Sequence, residues 1–142
     1  MSSLSAGPIH GSAVAVDGKA ALILGVSGSG KSSLVAEIMS RGGTLIGDDQ
    51  VVLSGVAHPI VKPAPQLAGL LELRGIGLVR VPFQERAPLY LCVNLDVAPD
   101  GRMPDRCTIT VLGKQLPLIN AQGLQNVAAS VILTLRGTLV ET

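Results

Sequence analysis

Gly25-Val26-Ser27-Gly28-Ser29-Gly30-Lys31-Ser32 decides how this 142-residue chain folds. Glycine, four free positions and then Gly-Lys-Ser is the pattern of a phosphate-binding loop, or P-loop. Its flanks fit. Ala20-Ala21-Leu22-Ile23-Leu24 is an apolar run of strand length. Residues 33–41 place Leu34, Val35, Ile38 and Met39 on one side of a helix. A strand, a glycine loop and a helix in that order aim successive backbone N–H groups, and the positive end of the helix, at one spot. Gly28 and Gly30 let the backbone approach an anion with no Cβ in the way. Lys31 is placed to reach β and γ phosphates, and the Ser32 hydroxyl to hold Mg²⁺. The candidate nucleotide-binding residues are Gly25, Ser27, Gly28, Ser29, Gly30, Lys31, Ser32 and Ser33.

Outside the loop, composition narrows the field. The length predicts one domain over 1–142, with residues 1–9 as a flexible N-terminus. A net charge of +1 gives no electrostatic footprint for nucleic acid. Phe83 and Tyr90 are the only aromatic side chains, so stacking platforms for bases are missing too. No stretch approaches the ~18 uninterrupted apolar residues of a membrane-spanning helix. Residues 1–5 lack the basic start and apolar run of a signal peptide, so a cytoplasmic location is expected. Cys92 and Cys107 both lie in strand-like apolar stretches, which predicts a buried thiol pair rather than a disulfide.

Residues 12–16 alternate and then meet Asp17-Gly18, a strong hairpin signal. The strand feeding the loop therefore pairs antiparallel with its predecessor, unlike the start of an ordinary doubly wound kinase. Arg41-Gly42-Gly43 ends the helix, and Thr44-Leu45-Ile46 and residues 50–53 are short strands split by Gly47-Asp48-Asp49. Residues 58–65 look like a proline-rich loop, 66–71 a short helix, and 77–81, 89–97 and 107–112 strands. Residues 121–136 close the chain as a helix. The class is α/β with a mixed sheet.

The chemistry of phosphoryl transfer needs a carboxylate near the loop. Asp48 and Asp49 sit on the first strand after the loop helix, and neighbours on an extended backbone face opposite ways. They should therefore do different jobs, or only one should face the site. Glu72 and Arg74 could be a surface ion pair, and His10 and His58 are not distinguished by their local sequence.

Taken together, His10-Gly11, the P-loop, Arg41-Gly42, Asp48-Asp49 and Leu71-Glu72-Leu73-Arg74-Gly75-Ile76-Gly77 resemble the catalytic domain of HPr kinase/phosphorylase. That family contains the serine kinases of the phosphocarrier HPr, and the resemblance is clear over residues 10–77. Arg102-Met103-Pro104 is similar to a later Arg-Leu-Pro element, whereas residues 119–123 lack the family's Pro-Gly-Arg-Asn. The resemblance implies a phosphoenolpyruvate carboxykinase-like P-loop fold, ATP and Mg²⁺ as cofactors, a homo-oligomer and an HPr-like protein substrate. It casts Asp48 as the base of the kinase reaction and the acid of phosphorolysis, with His10 beside it. Ser32, Asp49 and Glu72 become the metal site. A small-molecule kinase and a nucleotide-sensing module with little catalysis are the rival readings.

Overall fold

The computed structural model describes residues 3–140. In chain order, β1 (Ser3–Leu4) and β2 (Gly7–His10) precede β3 (Ser12–Val16), β4 (Lys19–Leu24) and α1 (Lys31–Ser40). Then come β5 (Thr44–Gly47), β6 (Gln50–Ser54), β7 (Ile60–Pro63), β8 (Leu70–Leu73) and β9 (Gly77–Arg80). The chain finishes with β10 (Ala87–Asn94), β11 (Cys107–Val111), β12 (Lys114–Asn120) and α2 (Val127–Arg136).

The main sheet runs β1-β11-β12-β10-β4-β3-β5. β10 lies parallel to both β4 and β12, while β3 is antiparallel to β4. The hairpin turn has Asp17 at φ 52° and Gly18 at φ 80°, two positive values that match the right-handed twist of the flanking strands. A second group, β2-β6-β7, is antiparallel throughout and joins the sheet where β7 pairs with the start of β10. β8 and β9 form a separate hairpin.

The core explains why β4 is apolar at every position after Lys19. Ala21 and Ile23 face one cluster, with Leu34, Val35 and Ile38 of α1 and Val131, Ile132 and Leu135 of α2. Ala20, Leu22 and Leu24 face a second cluster, with Leu53 of β6, Val61 of β7 and Leu89 of β10. Each fully buried Val, Leu or Ile contributes about 1.5–3 kcal/mol, which lets aliphatic residues alone sustain the fold. The P-loop strand is thus held rigidly from both faces.

Several expectations need correction. Within residues 1–9, Ser3–Leu4 pairs with β11 and Gly7–His10 pairs with β6, so this stretch is built into the sheet. Residues 1 and 2 lie outside the described residues. Residues 66–71 give only a 3₁₀ turn, Pro65–Leu67, because Leu70–Leu73 is drawn into the ladder with β9. Residues 60–63 form a strand within the expected loop. The last helix begins at Val127 rather than 121, after Gly123 (φ 81°) and Asn126 (φ 57°) take left-handed conformations that no helix can run through. Both cysteines are free, but only Cys92 is buried, since the start of β11 is exposed.

Candidate active site

The loop between β4 and α1 has the expected cradle shape. Gly28 at φ 85° and Gly30 at φ 104° occupy backbone conformations that a side chain resists, and they curl the chain over the start of the helix. Lys31 is 6% exposed, and its Nζ donates to the Gly25 carbonyl at 2.8 Å and the Val26 carbonyl at 3.0 Å. An ammonium has three donors, so one remains for an anion. The Val26 N–H donates to both oxygens of Asp96, at 3.0 and 3.2 Å, which ties the mouth of the loop to the end of β10.

Beneath the loop lies a closed polar network centred on Asp48. Its side chain is buried and accepts from Ser32 Oγ (2.7 and 2.9 Å), Ser12 Oγ (2.8 Å) and the Glu72 N–H (3.1 Å). Ser12 Oγ in turn accepts from the Asp49 N–H at 3.2 Å. Four elements (β3, α1, β8 and the β5–β6 turn) are thus fastened to one carboxylate. Such fully partnered buried networks fix a unique geometry.

Asp49 is held quite differently. The Gln50 N–H donates to the Asp48 carbonyl at 2.8 Å across Asp49, whose φ is 70°. An i to i+2 bond over a positive-φ residue is a strained γ-turn. This turn, rather than simple strand alternation, sends the two acids apart. The Asp49 side chain is 71% exposed and faces His10, with Oδ1 3.6 Å from Nδ1. The sequence expectation put His10 beside Asp48; the β2–β6 register brings it to Asp49 instead, and the Gly11 N–H fixes the approach by donating to the Asp49 carbonyl at 3.0 Å.

An open cleft of about 150 Å³ gathers Ser27, Gly28, Lys31, Ser32, Asp49 and Glu72. Arg74 also lines it, its Nη2 lying 3.9 Å from where a Cβ on Gly28 would stand. Among the described residues, no three His, Cys, Asp or Glu side chains converge closely enough to cage a metal by themselves. The Ser32 hydroxyl and Asp48 carboxylate, with Asp49 and Glu72 on the same cleft, form an all-oxygen donor set. That suits Mg²⁺, which keeps waters and substrate phosphates and takes only one or two carboxylates.

Sequence reasoning missed Ser12, Arg74 and Asp96. Ser12 carries no motif and acquires its role only through strand register. Arg74 was masked by its acidic neighbour two positions away. His58 does not join the site: its Nε2 lies 2.8 Å from the Leu89 carbonyl and its Nδ1 3.1 Å from Lys114 Nζ. A carbonyl only accepts, so Nε2 carries the proton and Nδ1 accepts from the lysine.

Comparison with known proteins agrees with this geometry. Residues 4–110 match the family model for the HPr Serine kinase C-terminal domain. Proteins named HPr kinase/phosphorylase from Burkholderia lata and Burkholderia cenocepacia are each 34% identical, over 94% of this chain and 46% of theirs. The chain therefore spans about half the length of these curated relatives. The solved structure of the Hpr(Ser) kinase/phosphatase from Coxiella burnetii superposes with a TM-score of 0.75 at 22% identity, covering 91% of this chain and 88% of that one. That likeness establishes the mixed α/β fold. The model match spans three quarters of the sequence, including every residue of the cleft, and the chain belongs to the HPr Serine kinase C-terminal domain family.

Proposed function

We propose that the chain is a cytoplasmic, ATP-dependent kinase that phosphorylates a serine of HPr or an HPr-like phosphocarrier, and that it works as a homo-oligomer. The observation that carries the reading is the division of the acid pair: Asp48 buried beneath Ser32, and Asp49 open to the cleft beside His10. A base must reach the substrate, and Asp48 is buried and turned towards Ser12, Ser32 and the Glu72 N–H, whereas Asp49 opens onto the cleft. Asp49 is therefore the base, exchanging roles with the assignment that the resemblance implied. Asp48 instead aligns the Ser32 hydroxyl.

The phosphate tail of ATP lies in the Gly28–Gly30 cradle, held by backbone N–H groups and the remaining proton of Lys31. Ser32 and Glu72, with Asp48 beneath Ser32, would hold Mg²⁺, which supplies charge neutralisation to the phosphates when bound. Asp49 accepts the seryl proton as its oxygen attacks the γ-phosphorus, and His10 orients the carboxylate. Arg74, above Gly28, offsets charge on the transferring group. In the reverse direction Asp49 returns a proton to the seryl oxygen as inorganic phosphate attacks, giving pyrophosphate.

Mixing the protein with HPr, Mg²⁺ and γ-labelled ATP tests this. Label on an HPr serine is expected. ATP bound with no transfer to anything would overturn the kinase reading in favour of a nucleotide-sensing module. Label recovered only on a small molecule would replace the protein substrate.

A further inference from the structure

Asp96 follows β10 and faces the first peptide of the P-loop, although no motif marks it. It does not line the cleft that holds Asp49, Glu72 and Arg74. Its stretch of backbone is tied down on both sides. The Leu95 N–H donates to the Leu24 carbonyl at 2.9 Å, and the Asp96 N–H to Asn94 Oδ1 at 2.9 Å. The Gln122 N–H donates to the Val97 carbonyl at 3.0 Å. The carboxylate is thereby set against the loop, with Oδ1 3.2 Å and Oδ2 3.0 Å from the Val26 nitrogen. Resting on the ATP-binding part of the reading above, we propose that Asp96 is a positioning residue: it fixes the Gly25–Val26 peptide, and through that peptide it holds Lys31 ready for the phosphates.

Peptide geometry gives the first argument. The Gly25–Val26 bond is trans, and in a planar trans peptide the N–H and the C=O point in opposite directions. A carboxylate gripping the Val26 N–H therefore aims the Gly25 carbonyl the other way, where Lys31 Nζ meets it at 2.8 Å. The next carbonyl, that of Val26, accepts a second proton of Lys31 at 3.0 Å and the Ser29 N–H at 3.0 Å. Asp96, the amide and Lys31 thus stand in line, negative charge, dipole and positive charge. Hydrogen bonds in such a chain polarise and strengthen one another.

Conformational freedom gives the second. Gly25 has no Cβ, so its own chemistry does little to stop the following peptide from turning over. A side chain could not take its place as a brake, because a Cβ there would stand 3.0 Å from Ser29 Cβ and 3.4 Å from Asp96 Oδ1. The restraint has to come from outside the residue, and the carboxylate supplies it. Electrostatics decides the sign. A negative charge near an anion site repels polyphosphate, but Asp96 is exposed and water screens that repulsion. Its contact with the Val26 N–H is direct. Positioning therefore outweighs repulsion.

The test measures ATP affinity by calorimetry on the full chain, with Asp96 and Lys31 changed singly and together. Asp96→Ala should weaken ATP about tenfold, the lower end for a hydrogen bond to a charged group, as suits an exposed one. Asp96→Asn keeps an amide oxygen for the Val26 N–H, so it should restore all but about two- to threefold of that loss. In a Lys31→Ala background, Asp96→Ala should cost nothing further, because the side chain that it positions is gone. The same tenfold loss in both backgrounds would mark a role independent of Lys31 and overturn the proposal. Unchanged or tighter ATP binding in Asp96→Ala overturns it as well, since repulsion would then be the larger effect. Equal losses in Asp96→Ala and Asp96→Asn remove the hydrogen bond as the cause, and the proposal with it. Failure of the natural chain to bind ATP overturns the cradle and the positioning role together, whereas ATP bound without transfer to HPr overturns only the kinase reading.

Discussion

The two ends of the parallel strands β4, β10 and β12 carry similar residue types and very different capacities. At their C-terminal ends stand the P-loop, Asp96 and the acid pair with His10. At their N-terminal ends stand Lys19, Tyr90 and Lys114, with His58 between them. His58 has both ring nitrogens engaged, and its ring lies 5.0 Å from that of Tyr90, over which Lys19 Nζ sits at 5.3 Å. The imidazole in that cluster is fully engaged within the fold. The opposite end keeps capacity free: a carboxylate exposed on the cleft beside His10 and a third lysine proton. Ligand sites in sheets of this kind form beyond the carboxyl ends of parallel strands, and here the same rule can be read in hydrogen-bond capacity.

The sharpest way to break this contrast is Asp49→Asn. It should leave ATP affinity near the natural value and lower transfer to HPr by roughly 10²–10⁴-fold. If Asp48→Asn instead produces that signature, the proposed roles are reversed. Next in size is Lys31→Ala, which should weaken ATP by about 100-fold in a direct binding assay, since a charge-assisted bond contributes about 1.5–3 kcal/mol. Asp48→Asn should act mainly on the fold. An amide cannot accept from three donors as a carboxylate does, so about 1–3 kcal/mol of stability should be lost in urea titration.

The histidines provide a matched pair. His58→Ala should cost about 0.5–1.5 kcal/mol of stability and leave the transfer rate alone. His10→Ala should do the opposite, slowing transfer at unchanged urea midpoint. The smallest effect concerns Cys92, midway along β10, whose thiol burial pushes from the ordinary 9.0 up to about 12. The folded chain keeps that proton where the unfolded chain releases it. Its contribution is therefore complete below pH 9 and is lost as pH rises towards 12. Urea midpoints should fall more steeply over that window in the natural chain than in Cys92→Ala.

Much of this was legible beforehand because it is local. The P-loop, the Asp17-Gly18 hairpin and the apolar face of α1 are each encoded within a dozen residues. Of the residues that the motif names, Ser27, Gly28, Gly30, Lys31, Ser32 and Ser33 line the cleft. What sequence could not supply was register. His10 and Asp49 meet only because β2 pairs with β6, and Ser12 reaches Asp48 only because β3 crosses beside β5. The acids do point apart, but the cause was hidden for a related reason. Alternation along a strand was assumed, and a γ-turn at Asp49 replaced it. The late start of α2 escaped notice because Asn126 in a left-handed conformation leaves no mark that composition reveals.

The pairing of Gly7–His10 with β6 also decides what kinds of sequence change the imidazole can survive. Pro8 and Ile9 lie opposite Val52 and Val51, and His10 lies opposite Gln50, so the histidine is counted into place by rungs. Replacing Ile9 with another β-branched residue alters packing and leaves the count intact. Deleting one residue between 7 and 10 shifts the count and turns the following side chains to the other face. Related chains can thus rewrite this segment freely in letters but not in length, and gaps in an alignment should avoid it.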